Sequence, residues 1–82
     1  MKRRNQEQLF DEAGEIASFV RAKRKTLGYT QPELSKRIGV GVRFLRELEL
    51  GKKSLRMDKV EQVLNYFGYR LSPIRLEQSD ES

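Results

Sequence analysis

The chain has 82 residues, with 17 Lys plus Arg against 12 Asp plus Glu and neither Cys nor His. That length suits one domain with a modest core, and the missing Cys and His exclude disulfides, zinc fingers and histidine-based catalysis. The acids Glu77, Asp80 and Glu81 crowd into the last six residues, so residues 1–76 carry 17 basic against 9 acidic side chains, a net +8; a body that basic favours a polyanionic partner.

Residues 1–10 are polar and basic and read as a flexible arm. The arm is either a frayed terminus or a segment that reaches a DNA groove, and the sequence does not choose. No apolar run follows Met1-Lys2-Arg3-Arg4 as in a signal peptide. Nor does any stretch approach the ~18 apolar residues of a membrane span, so a cytoplasmic, nucleoid-associated protein is expected.

Residues 11–68 form the expected domain. The first helix runs over 11–27, with Ala13, Ile16, Ala17, Val20 and Leu27 on one face and Phe19 beside them. Acids near its start and Arg21, Lys23, Arg24 and Lys25 near its end suit the helix dipole, and Gly28 stops it. The second helix begins after Thr30, an N-cap that forms a capping box with Glu33; Pro32 sits in the first turn, where its missing N–H is harmless. Tyr29 and Leu34 are spaced as a hydrophobic staple. Gly39-Val40-Gly41 breaks this helix, with Gly39 as the left-handed residue after its end.

The third helix is expected over about 42–50. At 100° per residue, Phe44, Leu45 and Leu48 share one side, with Glu49 at its edge. Arg43, Arg46 and Leu50 occupy the opposite side, flanked by Val42 and Glu47. Gly51 ends the helix and Lys52-Lys53 place positive charge at its C-terminus. Leu55 and Met57 are expected to pack beneath a last helix over about 58–67, whose Val60, Val63, Leu64 and Phe67 repeat at helical spacing. Residues 69–76 switch to period two: Tyr69 and Leu71, then Ile74 and Leu76, alternate with polar residues or Pro73. A lone strand in a helical chain needs a second copy or another protein to pair with. Residues 77–82 read as a disordered acidic tail.

Two short helices joined by a glycine-bearing turn, the second with arginines on its outer face, make a helix-turn-helix arrangement. The strings T-Q-x-E-L-S-x-x-I-G-V and x-L-x-x-L-E-x-G-K, from Thr30 to Lys52, resemble the lambda-repressor-like (Cro-type, Xre) DNA-binding domains. The resemblance spans about residues 16–68. The segments R-F-L-R-E-L-E-x-G-K and Y-R-L-S-P-I look like the HipB-type antitoxins. Two positions depart from the family: Gly41 stands where a small polar cap is usual, and Phe44 where a smaller residue is usual. Phe44 either wedges against the first helix or faces a partner, and Leu50 touches either a thymine methyl or a second subunit.

The expected fold is all-α: a four-helix lambda-repressor-like domain with a short C-terminal β-strand that pairs across a dimer. In a helix-turn-helix the second helix enters the major groove. Gly41, Val42, Arg43 and Arg46 are the candidate base readers, since an arginine fork matches the O6 and N7 acceptors of guanine. Thr30 and Gln31, at the N-terminus of the preceding helix, and Lys52 and Lys53 are the candidate phosphate contacts. The bland alternative places both arginines on phosphates and leaves the lysines solvated. The resemblance implies a structural ion pair between Arg24 and Glu49, and it agrees with dimer pairing through Tyr69, Leu71 and Ile74. It also implies a repressor of an inverted-repeat operator, acting as the antitoxin of a HipA-like kinase toxin and repressing their shared operon. Rival readings are a stand-alone regulator, a non-specific nucleoid binder, or an interaction module that has lost DNA binding. No phosphate loop, nucleophile elbow or metal-ligand spacing occurs, so neither an enzyme nor a cofactor is expected.

Overall fold

The computed structural model of the chain describes residues 12–75. The arm expected over 1–10, Leu76 and the tail over 77–82 lie outside these residues. Within them four helices follow one another: α1 (Glu12–Leu27), α2 (Gln31–Ile38), α3 (Val42–Glu49) and α4 (Met57–Tyr66). The chain is all-α in the expected order, with α2 and α3 as the helix-turn-helix.

The core draws on all four helices and on the turn. Val20 of α1, Leu34 of α2, Val40 of the turn, Leu45 and Leu48 of α3, and Val60, Val63 and Leu64 of α4 form one buried cluster. Four of these, Val20, Leu34, Leu45 and Val63, have essentially no exposed surface. Burying side chains of this size contributes about 1.5–3 kcal/mol each. Ile16, Phe19, Tyr29, Ile38, Phe44, Leu55, Phe67 and Leu71 pack against the cluster while partly exposed. Phe44 therefore supports the domain's own core.

Two apolar residues do not follow the expected stripes. Leu27 is exposed. The α1 stripe from Ile16 to Leu27 rises about 16 Å, whereas the eight-residue helix α3 it packs against rises about 12 Å, so its last residue overhangs. Met57 is also exposed, and opens α4 rather than packing beneath it. Helical side chains tilt toward the N-terminus, which carries the first residue's side chain off the end of the stripe.

Helix α2 is held at both ends. Thr30 Oγ1 accepts from Glu33 N at 3.2 Å, and Thr30 N donates to Glu33 Oε1 at 2.8 Å, closing the capping box. At the other end Gly39 adopts φ +96° and its N–H and that of Val40 both donate to the Ser35 carbonyl. A side chain at Gly39 would face that left-handed strain and meet Gln62 Nε2 at 3.4 Å. Gln62 belongs to α4 and donates to the Ile38 carbonyl at 3.1 Å, so the last helix completes the C-terminus of α2. Ser35 is buried, its hydroxyl satisfied by the Pro32 carbonyl at 3.0 Å.

Beyond α4 the chain folds back on α1. Tyr69 N donates to the Leu64 carbonyl, and Asn65 Nδ2 to the Tyr69 carbonyl at 2.7 Å. The Tyr69 ring meets Phe19 edge-on at 4.6 Å between centroids, with Lys23 Nζ 5.6 Å and 5.7 Å from the two rings. Leu71 packs against the core and Ile74 is 81% exposed. Residues 69–75 carry neither helix nor strand; a ladder needs a second strand, and a single chain offers this segment none.

Candidate nucleic-acid interface

α3 divides its surface sharply. Leu45, Leu48 and Glu49 are buried, whereas Arg43 and Arg46 lie on the exposed side. Gly41, at φ −73° and ψ 150°, caps the helix without a side-chain hydrogen bond, and Val42 is half-buried beside it. The start of α3 thus presents bare backbone, one small apolar side chain and a guanidinium. Leu50, 78% exposed, caps the far end of the helix.

The Arg43 side chain is 86% exposed, but its Nε lies 3.6 Å from Glu47 Oε2, one turn along. Lys52 Nζ lies 3.5 Å from Glu47 Oε1. Gly51 creates the second approach. At φ +86° it lets the chain double back, so that Gly51 N–H donates to the Leu48 carbonyl and Lys52 N–H to the Glu47 carbonyl. That pair of bonds is a Schellman end, which sets Lys52 beside the helix that it follows. Arg46 and Lys53 are exposed and have no side-chain partner among the described residues. The i, i+4 spacing was a signal for the Arg43–Glu47 pair; Lys52 over Glu47 needs the geometry at Gly51.

The buried face of α3 ends in a polar network. Glu49, 4% exposed, receives Arg24 Nε on Oε2 at 2.8 Å and Arg24 Nη2 on Oε1 at 2.9 Å. Arg24, itself 14% exposed, also donates through Nη1 to the Tyr29 carbonyl at 3.0 Å. Gln31 Nε2 donates to Glu49 Oε1 at 3.1 Å. Burial pushes the Glu49 carboxyl up, but hydrogen bonds from Arg24 and Gln31 and the charges of Arg24 and Arg21 outweigh it and hold the group below the usual carboxylate range. The Arg24 guanidinium is raised chiefly by its hydrogen bonds to Glu49, against the opposing effect of burial. The network ties the C-terminal end of α3 to α1 and to the start of α2, and so fixes how the outer face of α3 is presented.

That network changes the picture at the α2 N-terminus. The Gln31 side chain, expected on phosphate, is engaged with Glu49. The Thr30 N–H is held by the Glu33 carboxylate, which the Thr30 backbone keeps below its ordinary pKa. What Thr30 still offers an anion is its hydroxyl proton, because Oγ1 acts as acceptor in the cap. Tyr29 carries the Arg37 guanidinium over its ring at 4.5 Å, a stacking that spacing alone did not single out.

No helix among the described residues is long and apolar enough to cross a membrane. The family model described as helix-turn-helix matches residues 20–74. An uncharacterized HTH-type transcriptional regulator of Sinorhizobium fredii (strain NBRC 101917 / NGR234) is 43% identical over 54 residues, which cover 66% of this chain and 71% of the relative. No solved structure matches the chain. Arginines on the outside of α3, a polar network locking its inside, and a family match across the whole helix-turn-helix together place this chain in the lambda-repressor-like helix-turn-helix family of DNA-binding transcription regulators, which is not a class of enzymes.

Proposed function

We propose that the protein is a sequence-specific transcriptional repressor that binds an inverted-repeat operator as a homodimer. The observation that carries this reading is the sidedness of α3. Its inner face is anchored by Leu45, Leu48 and the Glu49 network, while Arg43 and Arg46 stand outside. Docked in the major groove, Gly41 and Val42 approach the bases and the two arginines offer forks to guanine. Lys52 and Lys53 follow the helix toward the backbone, and the Thr30 hydroxyl and the Gln31 backbone N–H face it from α2.

Residues 69–76 supply the dimer contact in this reading. Ile74 lies exposed beyond a segment whose Tyr69 and Leu71 are already anchored on the parent domain. Two copies paired antiparallel would satisfy the backbone of both segments and cover Ile74. The likeness of Y-R-L-S-P-I to HipB-type antitoxins supports a further step: the dimer neutralises a HipA-like kinase toxin and represses their shared operon. Without such a partner, the same fold acts as a stand-alone regulator.

Selection of duplexes from a randomised library by the purified protein tests the repressor reading. The expected product is an inverted repeat with half-site centres about 10–10.5 bp apart, or a multiple of one turn. A library that emerges with no consensus would favour a non-specific binder. Isolation of the tagged chain from its native cells tests the second step, since a co-purifying kinase is required by the antitoxin role.

A further inference from the structure

Glu47 is out of place on both counts that usually explain a charged residue. It sits in the last turn of α3, where a carboxylate opposes the helix dipole, and its partner Arg43 sits in the first turn, where a cation does the same. The order Arg43 then Glu47 is also the less favourable arrangement for an i, i+4 pair. Helix stability therefore does not account for the pair. Nor does affinity for DNA, because a carboxylate on this face repels phosphate. Yet Glu47 is only 29% exposed and lies between two cations, with Arg43 at 3.6 Å and Lys52 at 3.5 Å. Its own carbonyl accepts the Lys52 N–H as well.

We propose that Glu47 is a positioning residue for base recognition: its carboxylate aims the Arg43 fork along the groove-facing side of α3 and keeps Lys52 off to the other side. This inference rests on Arg43 being a base reader. An arginine that is 86% exposed would otherwise sample many rotamers and settle on whichever phosphate lay nearest. Contact with Glu47 through Nε leaves the two terminal nitrogens of the guanidinium, the atoms a guanine O6/N7 pair accepts from, available for a base. Holding Lys52 on the other carboxylate oxygen stops a second flexible cation from competing for the same edge. The negative charge also weakens binding to any sequence that cannot draw Arg43 into a base contact, which is discrimination through repulsion. Arg46 has no such partner among the described residues and serves as the internal comparison.

Glu47→Gln preserves the shape and removes the charge. The test uses full-length parent, Glu47→Gln and Arg43→Ala proteins with the duplex selected by the parent, its single-base-pair variants, and a random duplex at fixed salt. Arg43→Ala identifies the base pair that Arg43 reads. At that pair Glu47→Gln should lower discrimination by about three- to tenfold, part of the roughly 5- to 150-fold that a bidentate contact supplies. Discrimination at the other positions should hold, and affinity for random DNA should rise severalfold. In the protein alone, 15N relaxation at Arg43 Nε should show greater mobility in Glu47→Gln, while the melting temperature stays within a few degrees of the parent. If Arg43→Ala loses one base preference and Glu47→Gln retains it in full, the positioning role is wrong and the base-reading role stands. If Arg43→Ala loses no preference at all, the base-reading role fails and the positioning role fails with it. A uniform loss across all positions in Glu47→Gln would likewise overturn the inference, because it would mark a general disturbance of α3.

Discussion

Removing Glu49 should be among the most damaging single changes on α3, because its buried carboxylate accepts three side-chain hydrogen bonds. Glu49→Ala leaves the Arg24 guanidinium, 14% exposed, with the Tyr29 carbonyl and takes away the acceptor of the Gln31 amide. Three hydrogen bonds to a charged group, at about 1.5–3 kcal/mol each, set an upper bracket near 5–9 kcal/mol. Water entering the vacated space recovers part of this, and breaking a buried pair by deleting one partner typically costs about 3–5 kcal/mol. A domain of this size holds only about 4–12 kcal/mol in total. At about 4–8 °C per kcal/mol, the melting temperature should fall by at least about 12 °C. Urea denaturation followed by circular dichroism gives the free energy directly, with the slope against denaturant unchanged if the native state stays compact. A companion double variant, Arg24→Met with Glu49→Leu, separates the two meanings of the result. It removes both charges and fills the site with apolar atoms, so it should lose much less than Glu49→Ala. A Glu49→Ala loss below about 1 kcal/mol would refute the reasoning, since that is the range of an exposed pair.

Other outcomes follow from the same geometry. The depressed carboxyls of Glu49, Glu33 and Asp58 mean that the folded state binds protons less readily than the unfolded chain. Their contribution is present above the unfolded values, ~4.3 for Glu and ~3.9 for Asp, and is lost as pH falls through the lower folded values. Stability should therefore be level between about pH 6 and 5 and drop below about pH 4, with a shallower acid limb in Glu49→Gln. Arg43→Ala should lose roughly 1–3 kcal/mol on the selected duplex and relax preference at one base pair per half-site. Lys52→Ala should instead weaken all sequences alike and flatten the salt dependence by about one unit. An Arg43→Ala protein that loses equal affinity for selected and random DNA would place Arg43 on phosphate. Deletion of residues 69–82 should yield a monomer by light scattering, and a truncated chain that still dimerises fully would put the interface elsewhere.

Local chemistry wrote most of this domain into its sequence. Thr30 with Glu33, Gly39 and Gly51 mark helix ends through contacts spanning three to five residues, so their meaning can be read along the chain. The period of Val60, Val63 and Leu64, and the division of α3 between Leu45 and Leu48 on one side and Arg43 and Arg46 on the other, depend on helical pitch alone. What pitch could not supply was the depth of each position. Glu49 read as an edge residue, and only the approach of α1 turns that edge into a buried site. Its pairing with Arg24 was legible through family likeness, because a contact across 25 residues leaves no periodic trace. The bond from Gln31 to Glu49 was invisible for the same reason, since the two residues are 18 apart. Leu27 fits its apolar stripe and Met57 was expected beneath the last helix, yet both stand in solvent, because sequence pattern states direction and does not state what lies opposite. Glu47 joined two cations only once Gly51 reversed the chain and set Lys52 beside α3. Helix positions follow from neighbours in sequence, whereas burial and charge pairing follow from neighbours in space, and those exist only after the helices have packed.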